Sequence, residues 1–238
     1  MTLVWEDPRV ARGNERMLEL RRRRLGSGER GVGWKIAFGS RLAMERLGIS
    51  APLIGFLTDA NLLGSASTVS IEEWTKPALE PEIAVHLGAD VDAGASREQT
   101  AAAIAALGAA IELADVDNLV DLEDILAGDI YQRHVILGPA DQGRAGGDVS
   151  GITARVLIDG QEAAATEDPL GFCGELIATV QHAAALLGAA GERLRAGEVL
   201  IAGSVTPLIW LEPGQSVTVQ IQPLGELSVR FAPRRSRA

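Results

Sequence analysis

Leu79-Glu80-Pro81-Glu82-Ile83-Ala84-Val85-His86-Leu87 is an apolar run that carries two glutamates one residue apart. The run is typical of a strand, where side chains at positions i and i+2 point to the same face of the sheet. Glu80 and Glu82 are therefore expected to converge. A third carboxylate, Glu112, lies in a second apolar run, Ala110-Ile111-Glu112-Leu113-Ala114, which also has the composition of a buried strand.

The three carboxylates predict a metal site. A charged carboxylate is costly to bury unless positive charge meets it. A hard divalent cation takes oxygen ligands and neutralises several carboxylates at once. A Glu-x-Glu pair alone is more often the solvated face of a strand, so the prediction depends on Glu112 and on the flanking motifs.

Composition limits the classes of protein to consider. The chain has 238 residues, of which 47% are hydrophobic, so a globular fold with a real core is expected. The net charge of -10 argues against a nucleic-acid partner. Cys173 is the only cysteine, which excludes an intramolecular disulfide and fits a reducing compartment.

The beginning of the chain lacks the basic-then-apolar order of a signal peptide. No apolar run approaches 18 uninterrupted residues, so no membrane span is expected. Together these features predict a cytoplasmic protein.

The order of the predicted elements indicates an α+β protein. Helices are predicted over about Pro8–Leu25, Ser96–Leu107 and Leu176–Leu187, the second from a capping-box pattern at its start. Strands are predicted over the two glutamate runs, over 69–71 and 134–137, and repeatedly after residue 199. Asp159-Gly160 predicts a hairpin with a type I′ turn. The order is no regular βαβ alternation, and no phosphate-binding glycine loop is present, which lowers the prior for a nucleotide-binding fold.

Three regions are expected along the chain. Residues 1–30 form an N-terminal helical segment, residues 31–232 form a catalytic mixed-β domain, and residues 233–238 form a basic, disordered tail.

Several segments, in order, resemble the fumarylacetoacetate hydrolase superfamily, above all its hydratase/decarboxylase branch. The resemblance covers the chain from about residue 30 to 231. The segments are Gly33-Trp34-Lys35, Gly55-Phe56-Leu57-Thr58-Asp59, Glu80-Pro81-Glu82-Ile83-Ala84, Ile111-Glu112-Leu113-Ala114, residues 194–204 and Pro223-Leu224-Gly225.

This resemblance implies a mixed β-sandwich or roll core with covering helices, and dimers or larger assemblies of identical subunits. It implies that Glu80, Glu82 and Glu112 hold Mg²⁺ or Mn²⁺. It also implies that Lys35 contacts the substrate or assists proton transfer, and that Asp59 is a second catalytic residue. Without the resemblance, Lys35 is an ordinary edge-strand lysine and Asp59 a turn residue.

Two further residues are candidates for substrate binding. Thr206 lies where the family places a loop near the substrate, although a plain turn accounts for it equally well. Ile130-Tyr131-Gln132-Arg133-His134 is bulkier and more basic than the small, Ser-rich segment common in hydratases. Arg133 could bind a second substrate carboxylate there, or it could close the pocket.

The function predicted from these features is a metal-dependent lyase for a short 2-oxo acid. The first hypothesis is hydration of a 2-hydroxy-dienoate/2-oxo-enoate through a metal-stabilised enolate. The alternatives are decarboxylation of a vinylogous 2-oxo acid, C–C hydrolysis of an acylpyruvate, and a non-catalytic subunit that binds a ligand or a pathway enzyme.

Overall fold

A computed structural model describes residues 4–117 and 121–235. The described helices are α1 to α6: Pro8–Gly26, Arg41–Leu47, Arg97–Ala103, Leu122–Ala127, Leu170–Cys173 and Leu176–Ala189. The described strands are β1 to β13: Gly31–Ala37, Leu53–Thr58, Leu62–Leu63, Ser67–Val69, Pro77–Leu87, Ile104–Asp115, Gln132–Leu137, Thr153–Ile158, Gln161–Thr166, Val199–Ser204, Ile209–Trp210, Ser216–Gln222 and Gly225–Phe231.

The strands form two mixed sheets, which confirms the α+β prediction. The eight-stranded sheet has the order β2-β1-β10-β5-β6-β7-β3, with β11 paired to β5. The five-stranded sheet has the order β4-β13-β12-β8-β9. Helix α6 packs on β2 and β10, and α1 packs on α4.

The larger sheet curls strongly, as one long-range contact shows. Lys35 of β1 contacts Glu112 of β6, although β10 and β5 lie between these strands. In a flat sheet three strand spacings of about 4.8 Å would separate them by about 14 Å. The two side chains can meet only because this face of the sheet is concave.

Several predicted elements are confirmed, and two have different bounds. The Asp159-Gly160 turn has a positive φ at both residues, as a type I′ hairpin requires. The helix predicted to run to Leu107 ends at Ala103, and Ile104 begins β6. The strand predicted over 69–71 is Ser67–Val69 instead.

The early helix end has a physical cause. The run from Ala101 to Ala110 favours a helix by propensity alone. From Ile104 onward, however, the backbone pairs with β5, starting opposite Leu87. Because β6 is buried along almost its whole length, sheet pairing and burial override local propensity.

The apolar stretch Leu170–Ala189 is long and apolar enough to cross a membrane by length and composition, although polar residues such as Glu175 and Gln181 interrupt it. It is divided at Gly174, between α5 and α6, and much of α6 is buried, including Leu176, Val180 and Leu187. These features are typical of a core helix.

The predicted tail is only partly described: residues 233–235 have no regular structure, and residues 236–238 lie outside the described residues.

Candidate metal centre

The β5–β6 register brings the three glutamates together on the concave face. Glu80 lies directly opposite Glu112, and Glu82 lies opposite Ala110. Because Glu80 and Glu82 are two residues apart in one strand, all three side chains share one face. Carboxylate oxygens from the three residues lie within 4.8 Å of one another. The predicted convergence is therefore present in the structure.

Glu82 and Glu112 are buried, Glu80 is half-buried, and the carboxyl groups of Glu80 and Glu82 resist ionisation. Glu82 and Glu112 are each 1% exposed. Burial, together with the charge of Glu112, raises the pKa of Glu80 to about 7. Burial and the neighbouring glutamates raise the pKa of Glu82 well above its ordinary value, although the backbone N–H of Gly203 donates to its Oε2 at 2.8 Å. When these carboxyl groups are ionised, they therefore need a positively charged partner.

Lys35 supplies one positive charge inside the cluster. Its side chain is almost completely buried, its Nζ contacts Glu112, and it donates to the Ile130 carbonyl at 2.8 Å. Burial alone lowers the pKa of Lys35, but the carboxylates of Glu112 and Asp129 outweigh that effect and raise it. Lys35 is therefore a charged ammonium group directly beside the glutamates.

The donor set fits a hard divalent cation. All three candidate ligands offer carboxylate oxygens, which Mg²⁺ and Ca²⁺ prefer. Once ionised, the three carboxylates carry more charge than one ammonium group offsets, and a dication would neutralise that excess. Glu80, Glu82 and Glu112 can hold such an ion while leaving coordination positions open for other oxygen ligands.

Apolar side chains surround the charged cluster on the same concave face. Val135 lies opposite Glu112, Ala84 follows Glu82 by two residues, and Ile201 lies between Ala84 and Lys35 in the strand register. These residues belong to a small, separate apolar cluster that also contains Leu57, Ala110 and Val199. Such walls limit water around the charges and strengthen their interactions.

Thr206 lies on a loop that passes beside the glutamates. The backbone N–H of Val205 donates to the carbonyl of Pro81, the residue between Glu80 and Glu82, at 2.8 Å. Thr206 itself is buried, and its hydroxyl donates to the Pro207 carbonyl at 3.0 Å. The structure thus places the predicted loop next to the cluster and gives the Thr206 hydroxyl a local partner.

Asp59 and Arg133 have partners away from the glutamates. Asp59 accepts hydrogen bonds from the backbone N–H and Nε of Arg30 at 2.9 and 2.8 Å, and these bonds lower its pKa. Arg133 is half exposed and pairs with buried Asp115 at 3.1 Å, 6.0 Å from the Trp74 ring centroid. Among the described residues, no hydrogen bond or ion pair joins Asp59 or Arg133 to the cluster.

Sequence reasoning missed Asp129. This residue is 2% exposed, and its Oδ1 accepts from the Phe56 N–H at 2.8 Å. Burial raises its pKa to about 7, while the charge of Lys35 acts in the opposite direction. Asp129 follows Gly128 at the end of a short helix, where an aspartate is ordinarily a solvated turn residue. Only the burial shown by the structure distinguishes it.

Comparisons with known proteins agree with this geometry. Residues 36–232 match the sequence profile of the family described as fumarylacetoacetate (FAA) hydrolase C-terminal. The chain is 30% identical over 208 residues to 4-oxalocrotonate decarboxylase of a Pseudomonas species, covering 86% of this chain and 80% of that protein. It is 29% identical over 222 residues to 2-hydroxyhexa-2,4-dienoate hydratase of Comamonas testosteroni, covering 90% and 83%.

A solved structure is similar over most of its length. It is 4-oxalocrotonate decarboxylase from Pseudomonas putida G7, complexed with magnesium and adipate. The TM-score is 0.86 at 26% sequence identity, covering 93% of this chain and 86% of that one.

Proposed function

Because this chain belongs to the fumarylacetoacetate hydrolase family, we propose that it is a metal-dependent lyase that hydrates a short 2-oxo-enoate or its 2-hydroxy-dienoate form. The observation that carries the proposal is the convergence of half-buried Glu80 with buried Glu82 and Glu112 beside Lys35. This arrangement joins a cation site of open geometry to a positioned ammonium group. The hydratase relative supports the reaction class.

The three glutamates would hold Mg²⁺, the ion named in the similar decarboxylase structure. Bound there, the cation supplies Lewis-acid chemistry toward the carboxylate and ketone oxygens of a 2-oxo acid. Mn²⁺ satisfies the same donor set and is the second candidate.

The chain's own residues orient the substrate and manage its protons. Lys35 holds a proton on Nζ and presents positive charge to any oxygen that becomes negative beside Glu112. The Gly203 N–H fixes the direction of the Glu82 carboxylate. The apolar residues on the concave face exclude bulk water, which would otherwise screen these charges.

Decarboxylation of a vinylogous 2-oxo acid is the second candidate. It is favoured by the 30% identity to the Pseudomonas 4-oxalocrotonate decarboxylase and by the TM-score of 0.86 to a solved decarboxylase. Both reactions need negative charge stabilised on the ketone oxygen of the substrate, so the same site residues serve either one.

Calorimetry tests the common core of both candidates. Wild type is expected to bind oxalate, a mimic of the 2-oxo acid, only when Mg²⁺ or Mn²⁺ is present. Glu82→Gln should abolish this metal-dependent binding, while the matched exposed control Glu73→Gln should leave it intact. Oxalate binding that is independent of metal, or unchanged in Glu82→Gln, would contradict the proposal.

Turnover assays separate the two reactions. For each substrate in a panel of dienoates, ultraviolet absorbance follows its consumption, and a parallel measurement detects CO₂. Loss of absorbance without CO₂ indicates hydration, and CO₂ release from a dicarboxylate indicates decarboxylation. Metal and oxalate binding without turnover of any 2-oxo acid would instead favour a non-catalytic subunit.

Assembly and location belong to the same proposal. We infer a homo-oligomer, a dimer or larger, in the cytoplasm. Light scattering coupled to size-exclusion chromatography gives the subunit number.

A further inference from the structure

The turn before β7 has an unusual backbone. Asp129, Ile130 and Tyr131 have φ angles of 60°, 49° and 64° in succession. A non-glycine residue with positive φ is uncommon and costs about 1 kcal/mol or more. Three in a row persist only where surrounding contacts hold them, so the contacts of this turn indicate its purpose.

Two of those contacts lead to the catalytic cluster. The Ile130 carbonyl accepts from Lys35 Nζ at 2.8 Å, and the Asp129 carboxylate accepts from the Phe56 N–H at 2.8 Å. Phe56 lies in β2, which pairs with the strand of Lys35. The left-handed turn therefore presents a carbonyl to the ammonium group and directs the neighbouring carboxylate at the strand that pairs with that of Lys35.

Gly55 makes this approach possible. It lies directly opposite Lys35 in the β1–β2 register. A Cβ at Gly55 would lie 2.8 Å from Asp129 Oδ1 and 2.9 Å from Lys35 Cε. The lysine chain and the aspartate carboxylate thus lie on either side of the space that a side chain would occupy.

Each of the two residues keeps unused hydrogen-bonding capacity, and no hydrogen bond joins them among the described residues. An ammonium group has three N–H donors, and Lys35 uses one for Glu112 and one for Ile130. Asp129 Oδ2 is buried and has no hydrogen-bond partner among the described residues. Of the charges that face Asp129, Lys35 and Arg24 are attractive and Glu112 is repulsive, with Lys35 the strongest.

We propose that Asp129 is a positioning residue for Lys35, whose fixed carboxylate balances the lysine charge and holds the ammonium group in place beside the glutamates. The catalytic part of this inference rests on the proposed function, because that function requires the Lys35 ammonium group to point at the substrate. Asp129 acts through Lys35 and needs no contact with the substrate.

Nuclear magnetic resonance tests the placement without any substrate. The chain has two lysines, buried Lys35 and exposed Lys76, so lysine-selective ¹⁵N labelling gives two ammonium signals and an internal reference. In wild type the Lys35 ammonium protons should exchange slowly with water and be visible at neutral pH. In Asp129→Asn, exchange should accelerate at least about tenfold, and the Lys35 signal should broaden or vanish.

Steady-state kinetics test whether the position of Lys35 affects turnover. Asn at position 129 keeps an acceptor for the Phe56 N–H and removes only the charge, so a purely structural role predicts wild-type kcat. The proposal predicts that kcat falls about tenfold or more while KM stays within about threefold. A preserved Lys35 signal together with a wild-type kcat would overturn it. If wild type turns over no 2-oxo acid, the proposed function fails and the ammonium signal still decides this inference.

A stability comparison covers the case in which Asp129→Asn alone does not fold. Lys35→Met leaves the carboxylate of Asp129 without its cation, so Lys35→Met/Asp129→Asn should unfold at a higher urea concentration than Lys35→Met. An equal or lower midpoint for the double variant would overturn the proposal.

Discussion

Glu80 lies directly across from Glu112 in the β5–β6 register, so two carboxylates face each other at positions where a buried sheet ordinarily has apolar side chains. Like charges in directly opposed positions destabilise a sheet. In the metal-free protein this opposition is relieved by Lys35 and by protonation, since burial and Glu112 raise the pKa of Glu80 to about 7.

We expect Glu80 to lower the free energy of unfolding of the metal-free protein as pH rises. A carboxyl whose pKa is raised on folding binds more protons in the native state, so its contribution to the free energy of unfolding decreases between its unfolded pKa and about pH 7. Glu80→Gln removes this effect. Relative to wild type, it should gain up to about 3 kcal/mol between pH 4.5 and 7, at about 1.4 kcal/mol per pKa unit.

Urea unfolding in a chelating buffer measures this difference. Taking the difference between variants removes the opposite contribution of His86 and His134, whose pKa values burial lowers. Parallel stability curves for wild type and Glu80→Gln would show that Glu80 ionises normally in the folded protein.

Removing the lysine should separate metal binding from catalysis. Lys35 pairs with Glu112, and its positive charge repels a cation, so Lys35→Met should bind Mg²⁺ more tightly, by up to about tenfold. Because the proton on Nζ is lost, kcat should fall about 100-fold or more. Calorimetry and steady-state kinetics measure the two effects, with exposed Lys76→Met as the matched control. Weaker Mg²⁺ binding in Lys35→Met would mean that the lysine supports the ion rather than competing with it.

A methyl group at Gly55 should disturb the placement of both Lys35 and Asp129. Its Cβ would lie under 3.0 Å from atoms of both residues, so Gly55→Ala should destabilise the protein by about 1–3 kcal/mol and lower kcat. Gly26→Ala is the control, because a Cβ there meets nothing within 4 Å. Thermal unfolding and kcat provide the comparison. A Gly55→Ala variant as stable and active as Gly26→Ala would contradict the prediction, because it would show that the two strands shift to accommodate the methyl group at little cost.

Arg133 should matter for dicarboxylate substrates if it binds the second carboxylate. Its side chain is half exposed, and its guanidinium pairs with buried Asp115. Arg133→Gln should raise KM for a dicarboxylate 2-oxo acid about tenfold and change KM for a monocarboxylate by less than about twofold. Equal changes in KM for both substrates would indicate that Arg133 serves only to hold Asp115.

The amount of the site that could be predicted from the sequence depends on how local the information is. Glu80 and Glu82 share a strand, so their alternation predicts their common face. Glu112 could be added because its run is plainly a second strand, and the family resemblance supplied the rest. The fold class followed from the order of helices and strands.

Other features depend on contacts between distant segments. Asp129 follows a helix end and carries no pattern that marks it as buried; its environment comes from Gly55 and Phe56, more than 70 positions earlier. The start of β6 at Ile104 was missed because alanine favours helix, while the deciding interaction is pairing with Leu87. Asp59 was predicted from its motif, yet its bonds to Arg30 could be seen only in three dimensions.

The curl of the large sheet also sets when the site can appear during biosynthesis. The strand that joins β1 to β5 is β10, Val199–Ser204, which is synthesised long after every carboxylate and the lysine of the cluster. A ribosome-bound chain that ends before Val199 therefore holds Lys35 and all three glutamates, but lacks the strand that joins the lysine strand to the glutamate strands. Premature termination in that region would yield a product that contains the lysine and the three glutamates but cannot assemble them into one site.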